Sequence, residues 1–390
     1  MKTVKDIDIK NKKVIIRCDF NVPIENGKIT DDTRIKESLE TINYCIDNDA
    51  KIILLSHLGR VKEEKDLEKN NMKIVAKRLE KLLGKKITFI SETRGKKLED
   101  AVSKLDNKDV LLIQNTRYED LDGKKESKND KELGKYWASL GDVFINDAFG
   151  TIHREHASNV GIASNIPHAL GFLVEKELNV LSSLKSCDKP FIIILGGGKV
   201  ADKIGVIKNL ITKADYILVG GGMAFTFLKS DGFEVGNSLV DTDSLDFCRE
   251  IISKYGKKIL LPVDVLATTE YKDDSNYKTR LISEIEDDEM GLDIGPNTVE
   301  LFKNYLKDAK TVLWNGPLGV YEFNNFKQGT TEVLKYLTKN NIKTILGGGD
   351  IVAAATASKL KDKVYHASTG GGATLEYLEG KKLPGLEAMK

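Results

Sequence analysis

The chain has 390 residues, 41% of them hydrophobic and 31% charged, with a formal net charge of +1. Such a chain is long enough for two or three ordinary globular cores, and its near-neutrality argues against a nucleic-acid binder held by a global positive field. No apolar run approaches membrane-spanning length and the charged N-terminus MKTVKDIDIKNKK lacks a signal-peptide core, so a cytoplasmic protein without membrane or nucleic-acid partners is expected. Cys18, Cys45, Cys187 and Cys248 lie far apart with no CxxC spacing. They read as reduced thiols, and no zinc site is predicted.

The first half repeats one pattern four times. VIIRCDFNVP (Val14 to Pro23), KIILLSHLGR (Lys51 to Arg60), VLLIQNTRY (Val110 to Tyr118) and VFINDAFGTIHREH (Val143 to His156) each run apolar and then polar. Segments of helical periodicity separate them, among them MKIVAKRLEKLLG, whose closing glycine suits a helix C-terminus. Alternation of this kind predicts βα units and a mostly parallel sheet. Ligands of such sheets bind at the carboxyl ends of the strands, which is where Arg17, Asp19, Asn21, His57, Arg60, Arg117, His153, Arg154 and His156 fall. Seven of the nine arginines precede residue 155, in a chain that otherwise uses lysine for positive charge, as a need for planar bidentate donors would require. Each residue has an ordinary alternative. Asp19 and Asn21 could be turn formers, His168 reads as structural, and Arg78 and Arg94 as solvated. Four strand ends of the same chemistry nonetheless predict a crevice for a small anion.

A helix-like stretch, GFLVEKELNVLSSLKSC, follows Ile166-Pro167 and marks a domain boundary, with one domain over 1–172 and the next over 173–375. Strands then close in glycine: FIIIL into Gly196-Gly197-Gly198, YILV into Gly220-Gly221-Gly222, TIL into Gly347-Gly348-Gly349, with a further triplet at Gly370-Gly371-Gly372. KILLPVDVL and TVLWNGPLGV are further strand candidates, ending in Asp264 and in Asn315-Gly316-Pro317. A strand as apolar as FIIIL is covered on both faces. Its glycines are predicted to leave bare N–H groups at the start of the next helix, a phosphate cradle completed by Lys199 and Lys203. The alternative is a tight βα turn with solvated lysines. Lys199, Lys203, Glu322 and Asp350 supply the charge of this glycine-lined crevice.

GGGKVA meets a loose dinucleotide fingerprint, but the next strand ends in glycines where an acid should hold a ribose, which disfavours a NAD-dependent dehydrogenase. The Walker A string, the protein-kinase HRD and DFG motifs and the G-x-S-x-G elbow are absent. A non-enzymatic solute-binding clamp would normally carry an export signal, and none is present. A nucleotide-phosphate crevice facing a cationic one suits phosphoryl transfer, whose catalysis is positioning plus positive charge. Carrying the reacting groups on two domains would require closure to expel water.

Longer strings sharpen this reading. RCDFNVP, DDTRI, SHLGR, QNTRY, NDAFGTIHREHAS, GGGKVADK, GGGMAFTFL, LPVD, GLDIGPNT, WNGPLGVYE, GGGD and STGGGATLEYLEGKKLPG run from end to end, and the chain resembles phosphoglycerate kinase. The resemblance implies two doubly wound α/β domains joined by a helical hinge, with the C-terminal segment 376–390 returning to the first domain. It implies reversible phosphoryl transfer from 1,3-bisphosphoglycerate to ADP, giving 3-phosphoglycerate and ATP with Mg2+, by a chain that is typically a monomer. By the same resemblance Asp19, Asn21, His57, Arg60, Arg117 and Arg154 contact the phosphoglycerate, and Arg34 and Lys199 flank the phosphoryl group in flight. Lys203 holds nucleotide phosphate, Glu322 the ribose and Asp350 the magnesium, while Gly291, Gly348 and Gly349 border the nucleotide. Arg17 is expected in a structural ion pair, and His153 and His156 as scaffolding for the Arg154 loop. Ile351 also falls in the nucleotide segment, where a serine or threonine is common. It would remove one hydroxyl hydrogen bond, worth about 0.5–1.5 kcal/mol.

Overall fold

A computed structural model describes residues 1–390. The chain divides into two compact units, Met1–Asn179 with Lys382–Lys390, and Val180–Lys381. The helix Phe172–Ser183 carries the chain from the first into the second. No helix is long and apolar enough to cross a membrane.

In the first unit, β1 (Lys13–Cys18) is followed by a small hairpin of β2 (Ile24–Glu25) and β3 (Lys28–Ile29), then β4 (Lys51–Leu55), β5 (Thr88–Ile90), β6 (Val110–Ile113), β7 (Val143–Asp147) and β8 (His168–Leu170). Six of these form one parallel sheet in the order β5-β6-β4-β1-β7-β8. Burial on both faces explains the unbroken apolar runs, since Val14 to Ile16 and Ile52 to Leu55 are all fully buried. The helix Lys73–Leu83 lays Val75, Ala76 and Leu79 into this core and ends at Gly84, whose φ of +61° a glycine adopts without strain.

The second unit contains β9 (Phe191–Leu195), β10 (Tyr216–Val219), β11 (Ile259–Leu260), β12 (Asp264–Thr268), β13 (Lys278–Leu281), β14 (Met290–Ile294), β15 (Thr311–Asn315), β16 (Lys343–Leu346) and β17 (His366–Ala367). Its main sheet is parallel in the order β11-β10-β9-β15-β16-β17, and β13-β12-β14 form a separate antiparallel sheet. The doubly wound α/β class expected from the sequence is observed. Two local expectations fail. KILLPVDVL is two strands in two sheets, an edge strand β11 and a central strand β12, with Pro262, which has no N–H to give the β12 ladder, between them. Asp264 therefore begins a strand, and its carboxylate accepts hydrogen bonds from the N–H groups of Asn297 (3.0 Å) and Thr298 (2.7 Å) at the start of the helix Pro296–Leu306.

Two buried acids perform similar anchoring. Asp147, at the end of β7, accepts the Leu173 N–H at 2.9 Å, and Asp293, in β14, accepts the Gly329 N–H at 2.8 Å. Burial pushes each carboxyl up to about 8. An acid whose folded pKa lies above its unfolded value contributes stability that is complete below the unfolded pKa and is lost as pH rises through the folded one. Unfolding free energy is thus expected to fall between about pH 4 and about pH 8. Asp147→Asn should flatten that slope, measured by denaturant titration across the range; an unchanged slope would assign the pH dependence to other groups.

Candidate functional site

The cation-bearing strand ends of the first unit belong to β6, β4, β1 and β7, four consecutive neighbours in the sheet. Parallel pairing aligns their carboxyl ends, so residues over a hundred positions apart reach one rim. Asp19 follows β1, and its Oδ2 accepts a hydrogen bond from Arg34 Nη1, presented by the short helix Thr33–Glu37. Gly150 is required here, because a Cβ would strike Asp19 Oδ2 and lie 3.1 Å from Arg34 Nη1. Asn21 accepts the Gly59 N–H at 2.7 Å, tying the β1 loop to the loop that carries His57 and Arg60. His57 is buried with Nδ1 3.9 Å from Asp19 Oδ1, whereas Arg60 is exposed.

Around the rim, Arg117 sits in the 3₁₀ turn Thr116–Asp120 that follows β6. It donates to Asp120 Oδ2 at 2.8 Å and to Ser127, and its Nη2 lies 3.4 Å from His156 Nε2. Arg154 Nε donates to His153 Nε2 at 3.2 Å. His153 thus scaffolds Arg154 as expected, while His156 supports Arg117 instead. The ion pair expected for Arg17 is not formed. Its fully buried guanidinium donates to Ser158 Oγ (2.8 Å) and to the Cys18 carbonyl, with Nη2 3.3 Å from His57 Nδ1.

Burial and neighbouring arginines lower the histidine pKa values, His57 well below the ordinary range, His153 to about 4 and His156 to about 2. All three rings are neutral near pH 7. The positive charge of the rim is arginine charge, which no physiological pH removes.

In the second unit, a cleft of about 480 Å³ opens over the glycine-closed strand ends, lined among others by Gly198, Gly222, Gly291, Pro317, Glu322 and Asp350. The glycines serve close backbone packing. A Cβ on Gly196 would overlap the Pro317 carbonyl, and one on Gly221, at φ +64°, would lie 2.7 Å from the Gly197 nitrogen. The predicted bare N–H cradle is corrected by this packing. Gly196 and Gly197 donate to the Asn315 and Pro317 carbonyls at 2.9 Å, and a 3₁₀ turn, Ala201–Lys203, precedes the α-helix at Ile204. Lys199 stands exposed on the intervening loop. Lys203 is half-buried, and burial lowers its pKa against the attraction of Asp202, Asp350 and Glu379.

Gly348, at φ +141°, caps the helix Gly349–Ala357, whose first turn carries Asp350 into the cleft. Gly291 contributes backbone, its N–H bound to Ser238 Oγ at 3.0 Å. Ile351 follows Asp350 in the same first turn. Its side chain is fully buried in the core with Leu334 and Leu337, so what this residue can present to a ligand is its first-turn N–H, not a side chain. The exposed Asp350 carboxylate at this cleft fits Mg2+, which is commonly held by one or two carboxylates plus substrate phosphates.

A family model described as phosphoglycerate kinase matches residues 4–381. The chain belongs to the phosphoglycerate kinase family. It is 56% identical to the phosphoglycerate kinases of Fusobacterium nucleatum and Enterococcus faecalis, in each case over 100% of this chain and 99% and 98% of the relative. Among solved structures it is similar to the phosphoglycerate kinase of Coxiella burnetii, with a TM-score of 0.88 and 37% identity over 99% of this chain and 98% of the other. It is similar also to that of Pyrococcus horikoshii, with a TM-score of 0.87 and 31% identity over 100% and 98%. Membership makes the chain a kinase of glycolysis and a phosphotransferase.

Of the residues named from sequence, the structure groups Asp19, Arg34 and His57 around the Asp19 carboxylate, which also accepts the Asn21 N–H at 3.4 Å, and places Arg117 and Arg154 on the same rim, each beside a histidine. Gly291, Glu322 and Asp350 share one cleft. Glu126 and Ser158 escaped the sequence reading: Glu126 lies in a charged stretch, DLDGKKESKND, and nothing in that string marks it as buried. In the unliganded protein, His57 and His156 should show no protonation step between about pH 6 and 8 by imidazole NMR, given their lowered pKa values. A step in that window would mean that the rim is wetter than described.

Proposed function

We propose that the chain transfers a phosphoryl group between the acyl phosphate of 1,3-bisphosphoglycerate and ADP, reversibly, with magnesium nucleotide as co-substrate. The observation that carries the reading is the set of four adjacent strand ends, β6-β4-β1-β7, whose polar residues converge on one cationic rim. The rim suits a small molecule bearing phosphate and carboxylate. Arg117 and Arg154 would hold its anionic groups, with Arg60 free to swing in from solvent and Asn21 and His57 fixing its orientation. Asp19 holds Arg34 at the rim in advance of the ligand, so that little reorganisation remains when charge develops on the phosphoryl oxygens.

On the nucleotide side, Lys203 would neutralise phosphate and Glu322 accept from the ribose, while the backbones at Gly291, Gly348, Gly349 and Ile351 border the ligand. Asp350 would hold the Mg2+, which supplies charge neutralisation on the phosphates when bound. Lys199, on its exposed loop, would reach the phosphoryl group in flight. The acceptor carboxylate of 3-phosphoglycerate or the ADP phosphate is already ionised, so no general base is needed and the neutral histidines have no proton to move. Transfer between ligands held on separate units requires closure during turnover, which would exclude water from the reaction.

A coupled assay should show ATP- and Mg2+-dependent phosphorylation of 3-phosphoglycerate, and no turnover would refute the reading. Arg34→Ala is expected to lower kcat by about a hundredfold or more while changing KM for 3-phosphoglycerate little, as for a residue acting on the transition state. An effect confined to KM would reassign it to substrate binding. Lys199→Ala should similarly depress turnover while ADP still binds by calorimetry.

A further inference from the structure

Glu126 is fully buried, as unusual for an acid as is its proximity to a crevice whose other charges are chiefly arginine. Its two oxygens grip Ser158: Oε1 accepts from the Ser158 hydroxyl at 2.5 Å and Oε2 from the Ser158 N–H at 2.9 Å. The hydroxyl, having given its proton to Glu126, can only accept on its other side, and there it receives Arg17 Nε–H at 2.8 Å. Arg17 has donors alone. Its Nη2, 3.3 Å from His57 Nδ1, therefore requires that nitrogen to be the unprotonated one, leaving the His57 proton on Nε2.

His156 lies near the same carboxylate without a hydrogen bond to it. Oε1 lies 3.8 Å from His156 Nδ1, and the opposite ring nitrogen faces Arg117 Nη2 at 3.4 Å. Arg117 again can only donate, so the His156 proton lies on Nδ1, toward Glu126. The Glu126 carbonyl also accepts the Ala157 N–H at 3.0 Å, fixing the start of the turn that carries Ser158.

We propose that Glu126 is a positioning residue for the phosphoglycerate site, setting the His57 tautomer through Ser158 and Arg17. A relay beginning in one buried acid gives His57 a fixed donor face, Nε2–H, suited to an anionic ligand. The same acid offsets the mutual repulsion of Arg17 and Arg117, which otherwise opposes holding both in one crevice. This inference rests on the rim being the phosphoglycerate side, but its first readout needs no substrate.

The test uses Ser158→Ala, which removes the relay hydroxyl and keeps the carboxylate, with Ser158→Thr as the conservative rescue and Glu126→Gln as the direct variant. In the full-length unliganded protein, nitrogen NMR of His57 should show a single tautomer with Nδ1 bare, replaced in Ser158→Ala by a mixture and restored in Ser158→Thr. In the coupled assay, Ser158→Ala should raise KM for 3-phosphoglycerate about tenfold, the scale of one hydrogen bond to a charged group, with KM for ATP unchanged. Glu126→Gln should do at least as much; should it fail to fold, Ser158→Ala decides alone. A lowered melting temperature with unchanged tautomer and unchanged KM would reduce Glu126 to a structural role and overturn the proposal. Absence of wild-type turnover with an intact tautomer effect would instead count against the functional reading and leave the relay standing.

Discussion

Repulsion between like charges is the constraint around which the first unit is built. Four guanidinium groups, of Arg17, Arg34, Arg117 and Arg154, and three imidazoles crowd the ends of four adjacent strands, and each added positive charge makes the next costlier to hold. Two devices contain the cost. The rings are buried until they are neutral, and carboxylates stand beside the arginines: Asp19 and Asp120 pair with Arg34 and Arg117, and Glu126 reaches Arg17 through the Ser158 hydroxyl. The crevice can then remain strongly cationic toward a ligand without tearing itself apart when the ligand is absent.

The second unit meets the same demand, an anion site at parallel strand ends, by the opposite means. Its charges, Lys199, Glu322 and Asp350, stand exposed at the edge, and glycine backbone shares the lining of the crevice with side chains such as Leu239, Tyr271 and Met290. Glycine lets β9, β10 and β15 end within contact of one another, with Gly196, Gly197 and Gly221 bonded to the Asn315, Pro317 and Leu318 carbonyls. Such a floor leaves room for a large planar ligand and exposes it to peptide groups, where a ring of side chains would have filled the space. The price is conformational, since Gly197, Gly221, Gly316 and Gly348 all adopt φ values closed to most residues.

Much of this was legible in the sequence, for identifiable reasons. Short unbroken runs such as FIIIL read as strands covered on both sides, and a polar break after an apolar strand marks its carboxyl end, so the alternation carried both the fold class and the location of the rim. The three-stranded antiparallel sheet was not legible, because β13, KTRL, is short, polar and exposed at the edge. Nor was the use of the glycines. GGGK reads equally as open donors or as close packing, and the choice depends on what the neighbouring strand end presents, here carbonyls from residues more than a hundred positions away. Glu126 illustrates a third kind of silence. A buried acid among lysines looks like any surface acid until the chain is folded around it.

The last nine residues, Lys382–Lys390, belong to the first unit although all of the second unit precedes them. Gly385 donates to the Ile152 carbonyl at 2.8 Å, and a Cβ there would press on Ile152 and Asn159. Asn159 in turn donates to the Thr151 and Arg154 carbonyls at 3.1 Å. During synthesis, the loop that presents Arg154 therefore emerges long before the segment that buttresses it, and at roughly 5–20 residues per second the interval is on the order of tens of seconds. The first unit is begun first and finished last, so that a ribosome stalled anywhere in the second unit leaves an anion site without its final support.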